Sequence, residues 1–351
     1  MIRFVFKRIL NGLLVLWGVI TIVFFIFQIL PGDPVSMMMG QRGDQAAKKA
    51  IQQELGLDLP LYQQYFFLLN DVSLVSVHQH TPENAVKYQY WADVNVGNTT
   101  IALKPPYLRR SFQSNQRVTT IISERFPATF WLAISSMILA TVVGIAMGAL
   151  AALFHKTIWD QLLVTFSVIG ISVPSFVSAV VFGYFFAVVW HDYTGLNLYG
   201  NLWELHAYKG KTLELKNLLL PAFTLGIRPL AIVTQLTRSS MLDIMEEDFV
   251  RTARAKGLTE FRVITRHVLR NALNPVTTAV SGWFASLLAG AFFIEQVFNW
   301  KGIGLATINA VFARDFPVVM GMTIFIAALF VLVNLLVDVV YTRLDPRVKL
   351  S

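Results

Sequence analysis

Six long apolar runs constrain this chain more than any other feature, because about 20 apolar residues carry a helix across the hydrocarbon core of a bilayer. They cover 9–30 and then, approximately, 128–154, 162–190, 221–236, 275–298 and 316–341. In hydrocarbon every backbone N–H and C=O must be paired within the protein, so only helices or a closed barrel can span. Continuous apolar runs, rather than two-residue alternation, select helices. The sequence predicts an all-α membrane protein with six transmembrane helices. Only 14% of its 351 residues are charged, against about a quarter in soluble domains.

The first run follows the positive start Arg3, Lys7 and Arg8. It exceeds the roughly 7–15 residues of a signal-peptide core and no small-residue cleavage site follows, so it is expected to remain as a span. Pro127, Pro221, Pro275 and Pro317 stand where four of the runs begin, positions at which a missing N–H costs nothing. Asn274 and Asp315 are expected to cap the last two helices. The third run contains Pro174 and is too short for two spans, which predicts a tilted or kinked helix. The fourth is interrupted by Arg228-Pro229. A central arginine costs about 3 kcal/mol on an insertion scale, so Arg228 should lie near an end or face protein or water.

With the N-terminus inside, the cytoplasmic segments carry fourteen Lys and Arg and the two short outer loops five. That difference favours both termini in the cytoplasm. The net charge of +8 is read as these cytoplasmic loops rather than as a nucleic-acid surface. A long segment, 32–126, then lies outside. In it 44–55 and the aromatic stretch 61–69 read as helices, and 73–110 as irregular. Ala140, Gly144, Gly148 and Ala152 recur every four residues in the second run, as do Ser281, Ala285 and Ala289 in the fifth. Small residues at that spacing let helix backbones approach closely, here within one subunit.

The chain has no cysteine, which excludes disulfides, thiolate metal sites and Cys nucleophiles. No phosphate-cradling G-x-x-x-x-G-K-[ST], H-E-x-x-H or G-x-S-x-G occurs. Carboxylates within the spans are few and sit near their ends (Asp243, Glu295, Asp338), which argues against a proton relay. Energy must therefore enter from outside the chain. The polar stretch 246–275 offers an inlet: it holds six cations and spaces Phe249, Val250, Ala253 and Leu258 as a short amphipathic helix. Such a helix either docks in a partner's groove or rests on anionic lipid.

This stretch resembles the cytoplasmic loop of ABC-importer permeases, with Ala253, Gly257 and Leu269 in register with the family's pattern. Arg251, Thr252, His267 and Arg270 depart from the general pattern, and the run Phe249-Val-Arg-Thr-Ala-Arg-Ala-Lys-Gly257 is similar to its peptide branch. Further resemblance runs over nearly the full length. It includes Leu30-Pro-Gly-Asp-Pro34, Leu55-Gly-Leu-Asp-Leu-Pro60 with Tyr65, and Arg125-Phe-Pro-Ala-Thr129. The last third adds Glu295-Gln-Val-Phe298, Trp300, Gly302-Ile-Gly304, Arg314-Asp315, Asn334 with Asp338, and Asp345-Pro-Arg347, with Lys301 in place of the family's proline. The family is the B-type permease subunit of dipeptide and oligopeptide ABC importers. The outer segment is longer than is usual there, and relatives carry nickel, glutathione or sugars.

The resemblance implies a type I importer permease fold, N-in and C-in, divided as 1–31, the enlarged outer segment 32–126, a core 127–345 with coupling loop 246–274, and a tail 346–351. It implies a non-catalytic subunit, binding no cofactor, in a bacterial cytoplasmic membrane. Its partners would be a second permease, two ATPases that use ATP and Mg, and an extracytoplasmic binding protein. In the coupling loop, which includes Leu269, Phe249, Val250 and Leu258 would give apolar contacts, Arg251 and Arg254 orientation, and Ala253 and Gly257 close docking. Thr165, Ser167, Ser172, Thr234 and Gln235 are candidates for the translocation path. The rival reading is a stand-alone secondary transporter.

Overall fold

The structure is a computed structural model that describes residues 2–29, 52, 56, 58–206 and 208–344. The helix expected over 44–55, the motif 30–34 and the tail with Asp345-Pro-Arg347 lie outside those residues. In chain order the principal elements are α1 (Ile2–Ile29), α2 (Leu61–Val72), β1 (Val75–Gln79), α3 (Pro82–Tyr88), β2 (Ala92–Val96), β3 (Thr99–Leu103) and α4 (Val118–Leu153). There follow α5 (Ile158–Ser172), α6 (Ser175–Tyr184), β4 (Trp203–His206), β5 (Gly210–Leu213), α7 (Lys216–Met245) and α8 (Asp248–Ala255). The chain closes with α9 (Arg270–Gly290), α10 (Phe292–Val297), α11 (Ile303–Phe312) and α12 (Phe316–Leu344).

Helix dominates, but the chain is not all-α. Among the described residues α1, α4, α7 and α12 are long and apolar enough to cross a membrane. The pair α5 and α6 makes a fifth candidate if taken as one span, although the two are bent by 110° at Val173-Pro174. This is a break and not the kink expected, since Val173 is extended at ψ 130 before a proline that cannot donate. The prolines also sit differently from the expectation. Pro127, Pro221, Pro229 and Pro275 lie inside their helices, which begin one or more turns earlier in polar sequence that hydropathy overlooks. Asn274 is likewise inside α9 and caps nothing.

The chain divides into two compact units, one built on Arg125–Ala306 and the other on Lys7–Glu124 with Thr307–Val331. In the second, the stretch expected to be irregular forms a three-stranded antiparallel sheet in the order β1-β3-β2. β2 and β3 form a hairpin across Gly97, whose φ of +62° needs a residue without Cβ. The sheet is inverted relative to the usual rule. Val75, Val77, Val94, Val96, Ile101 and Leu103 are exposed, while Ser76, His78 and Thr100 are buried. Asp315, expected as a cap for α12, stands directly before that helix, and its side chain accepts from Ser111 Oγ at 2.5 Å and Phe112 N–H at 3.0 Å.

On β1 and β3 the polar face is buried over a charged network, whereas β2 is exposed on both faces. Asp71 accepts from Tyr88 OH at 3.1 Å and Arg109 Nε at 3.4 Å. Lys104, fully buried, donates to the carbonyls of Asp71 and Ser73 at 2.5 and 3.2 Å. Burial raises the Asp71 carboxyl despite Arg109, and lowers the Lys104 ammonium to about 8 despite Asp71. His78 stacks on Tyr88 at 3.9 Å; burial, with Lys104 and Lys87 adding to it, holds its imidazole down at about 4.

Because His78 protonates near 6.5 when unfolded and near 4 when folded, its contribution is complete above 6.5 and lost as pH falls through that window. The unfolding free energy measured from pH 7 to 4.5 should therefore drop, by on the order of 1–3 kcal/mol. His78→Gln should flatten that slope. The Asp71 carboxyl, raised rather than lowered, acts in the opposite sense in both proteins, so the difference between them isolates His78.

Candidate functional site

In the Arg125–Ala306 unit α7 is the helix on which the others pack. A Cβ on Gly144 or Gly148 of α4 would lie 2.9 Å from Leu230 O or 2.5 Å from Thr234 O of α7. One on Gly226 of α7 would lie 2.8 Å from Ser136 O of α4. The small-residue stripe thus packs within the subunit, backbone against backbone. Ala285 of the second stripe is buried, and Ser281 half-buried.

The face of α7 turned away from α4 is polar. Arg228, Ile232, Gln235 and Ser239 follow at helical spacing and are exposed or half-buried along an otherwise buried helix. Arg228 has no hydrogen bond or ion pair among the described residues. The neighbouring α9 shows a matching face: Asn271, Asn274, Thr278 and Gly282 are exposed, with Ser281 half-buried. Elsewhere the exposed side chains are those of a lipid surface, such as Trp131, Ile138 and Val142 on α4 and Phe176, Val180 and Tyr184 on α6. Of the five path candidates, Gln235 lies on the polar face. Thr165 and Ser172 are exposed on α5, while Ser167 and Thr234 are buried and return their hydroxyls to Leu163 O and Leu230 O.

The loop between α7 and α9 folds onto its own chain. Val250 and Ala253 of α8 are buried with Met241 of α7, Ala152 of α4, Val263, Val268 and Ala272; Leu258 and Leu269 pack at the edge. Val250 and Ala253 thus seal the loop to the chain's own spans. Gly257 is open on its own chain, where a Cβ would meet nothing within 4 Å. Its φ of +78° closes α8, with Gly257 N–H bonded to Arg254 O at 2.9 Å and Leu258 N–H reaching back to Ala253 O at 3.4 Å. The outward face carries Phe249, Arg251, Thr252 and Arg254, the last paired to Glu260 at 2.8 Å. Phe261, 77% exposed, adds a second aromatic that the spacing of α8 alone did not single out. A π-helical turn, Val263–Leu269, then leads into α9.

Two interlocks hold this frame. Glu295 is fully buried and accepts from Thr129 Oγ1 at 2.6 Å and Leu305 N–H at 2.9 Å. Thr129 Oγ1 also receives Ile303 N–H, and Trp300 Nε1 donates to Ala128 O. Gly302 has no room for a Cβ beside the Glu295 carboxylate. The motifs at 125–129 and 295–304 are therefore one contact. At the loop end Asp160, buried, takes Arg238 Nε at 2.6 Å and Nη2 at 2.7 Å, with Lys156 N–H at 3.1 Å. Asp160 drew no attention in the sequence, where only its spacing from the arginine 78 residues on is visible.

Comparison with known proteins agrees with this architecture. Residues 144–350 match the binding-protein-dependent transport system inner membrane component, and residues 1–133 match the N-terminal part of such membrane components. The chain belongs to this family of ABC-importer permeases. It is 33% identical to the glutathione transport system permease protein GsiC of Escherichia coli (strain K12) over 351 residues, 99% of each chain. It is 32% identical over the same span to GsiC of Shigella boydii serotype 4 (strain Sb227). In fold it is similar to a chain of the inward-facing MetNI methionine ABC transporter, with TM-score 0.50 and 14% identity, covering 65% of this chain and 97% of that one. The protein is a multi-pass membrane permease subunit, of a family that works with a substrate-binding protein and ATPases rather than as a catalyst.

Removing Arg238 leaves the buried Asp160 carboxylate with only Lys156 N–H and the His155 ring beside it; breaking a buried ion pair typically costs about 3–5 kcal/mol. Partial exposure of the guanidinium puts Arg238→Ala at the lower end. Its unfolding midpoint in detergent should fall by several degrees, and Asp160→Asn in the same chain should restore part of the loss.

Proposed function

We propose that this chain is one half of the pore of an importer for small anionic peptides. Di- and oligopeptides and the tripeptide glutathione are the substrates in view. The observation that carries this is the exposed polar stripe on each of the packed helices α7 and α9, with Arg228 near the middle of α7. An arginine there is costly against lipid and suits a water-filled path shared with a second, homologous permease. Its positive charge favours a carboxylate and disfavours a cation such as nickel. The names of the relatives fit glutathione.

In this reading α9 is also a span, and its Asn, Thr and Ser keep it from looking like one because it faces the path. The bent pair α5–α6 completes six spans with both termini in the cytoplasm of a bacterium, and 32–126 lies outside. The outward face of α8, with Phe249, Arg251, Arg254 and Phe261, docks in the groove of an ATPase that supplies ATP and Mg. The buried face, with Val250, Ala253 and Leu258, passes the movement to α7 and α9.

The assembled transporter in vesicles tests both parts. A charge-assisted hydrogen bond is worth about 1.5–3 kcal/mol, or tenfold and more in an equilibrium. Arg228→Gln should cut uptake of peptides with a free carboxylate by about that factor, with Arg228→Lys retaining more. Unchanged uptake in Arg228→Gln would sink the path assignment. Phe249→Ala with Phe261→Ala should lose co-purifying ATPase while the chain keeps its unfolding midpoint. Val250→Asp should lower the midpoint itself.

A further inference from the structure

α2 meets two environments. On one side Leu68, with Tyr65, Leu69 and Val72 beside it, packs with Ile20 and Phe24 of α1 and with Met320 and Ile324 of α12. Tyr65 OH lies 2.6 Å from Thr21 Oγ1, and its ring meets Phe24 and Phe25 at 5.3 and 6.3 Å. Away from that contact Phe66 and Phe67, with Leu61 and Tyr62 in the first turn, are each more than half exposed.

The helices to which α2 is fixed are two apolar spans. Thr21 lies within the apolar stretch of α1, and Met320 and Ile324 lie one and two turns into α12. α2 therefore packs beside apolar segments of two separate spans. Interfacial helices bury their apolar face about 5–10 Å into the headgroup–acyl boundary.

The inverted sheet continues the same surface. Its exposed face is built from the pairs Val75 with Leu103, Val77 with Ile101, and Val94 with Ile101. Polar Gln79 and Thr99 come only at the end remote from α2. Phe66 and Phe67 line one groove together with Val75 and Val77, with Gln63, Asn70 and Ser73 among them, and the Asn70 amide pairs with the Val77 main chain, so helix and sheet adjoin. Trp91, 65% exposed, donates its N–H to Leu103 O beside this face, and exposed Trp and Tyr are typical of the membrane interface. A contiguous apolar patch of this kind on a folded unit signals a covering partner.

We propose that α2 and the Val/Ile face of the β1-β3-β2 sheet lie in the bilayer, in the headgroup–acyl boundary of the leaflet where α1 ends. The ligand is lipid. The sheet buries its polar face because its apolar face already has a solvent. The unit is held against the membrane by area, and no specific headgroup is required. This does not depend on which solute the transporter carries.

The absence of cysteine makes the test direct. Phe66→Cys, Val94→Cys and, as a water-exposed control on α3, Glu83→Cys are each labelled with a small environment-sensitive fluorophore in the assembled transporter. Vesicles of phosphatidylethanolamine and phosphatidylglycerol are prepared with and without a lipid bearing a nitroxide near the carbonyl end of its acyl chain. The nitroxide lipid should quench the labels at 66 and 94 several-fold more than the label at 83, and iodide should quench only the last. Iodide quenching at 66 and 94 equal to that at 83 overturns the proposal. Quenching by neither agent overturns it as well, because a protein partner then covers the face. Normal retention of the binding protein and ATPases by each variant shows that the assembled state was measured.

Discussion

Backbone contact between α4 and α7 is the constraint from which the rest of the larger unit follows. Gly144, Gly148 and Gly226 bring the two helices so close that even one Cβ would collide with a main-chain oxygen. With hydrocarbon on the outside, no hydrophobic force draws spans together, so association rests on this kind of fit. α7 is then enclosed on every side but one. Its single open stripe can be polar because nothing about its stability requires lipid there. Arg228 sits on that stripe at no packing cost, whereas a central arginine on α4 or α6 would face hydrocarbon.

Hydropathy made α1, α4 and α12 legible, since their exposed and buried faces are both apolar. It misplaced helix starts because the first turns of α4, α7 and α9 are polar and lie ahead of the apolar runs. The sheet was illegible for a different reason. Val75-Ser76-Val77-His78 does alternate, but sequence alone expects the apolar set inward, against a core that this stretch lacks. Read as soluble protein, the segment has too little to bury; with its apolar face covered by lipid, the alternation makes sense.

At the site, spacing identified α8 as an amphipathic helix and could not tell which body its apolar side would meet. A 3.6-residue period specifies a face and leaves the partner open. The small residue Ala253 and Gly257 suggested contact with another protein; one seals an internal core and the other ends a helix. The motif residues Thr129, Glu295, Trp300 and Gly302 were visible singly, while their meeting in one buried contact depends on residues more than 160 apart.

The internal core of the loop is what makes an external drive effective. Met241, Val250, Val263, Val268 and Ala272 leave no compliant layer between α8 and the ends of α7 and α9. Close-packed side chains transmit displacement instead of absorbing it. The two helices joined there are the same two that present the polar face. If α8 is displaced by a partner, as proposed, this core carries the displacement to α7 and α9. The Asp160–Arg238 pair ties the base of α5 to α7, which links the helix that breaks at Pro174 to the same frame. In that reading the buried valines and alanine, more than the loop's charge, are what a partner pushes against.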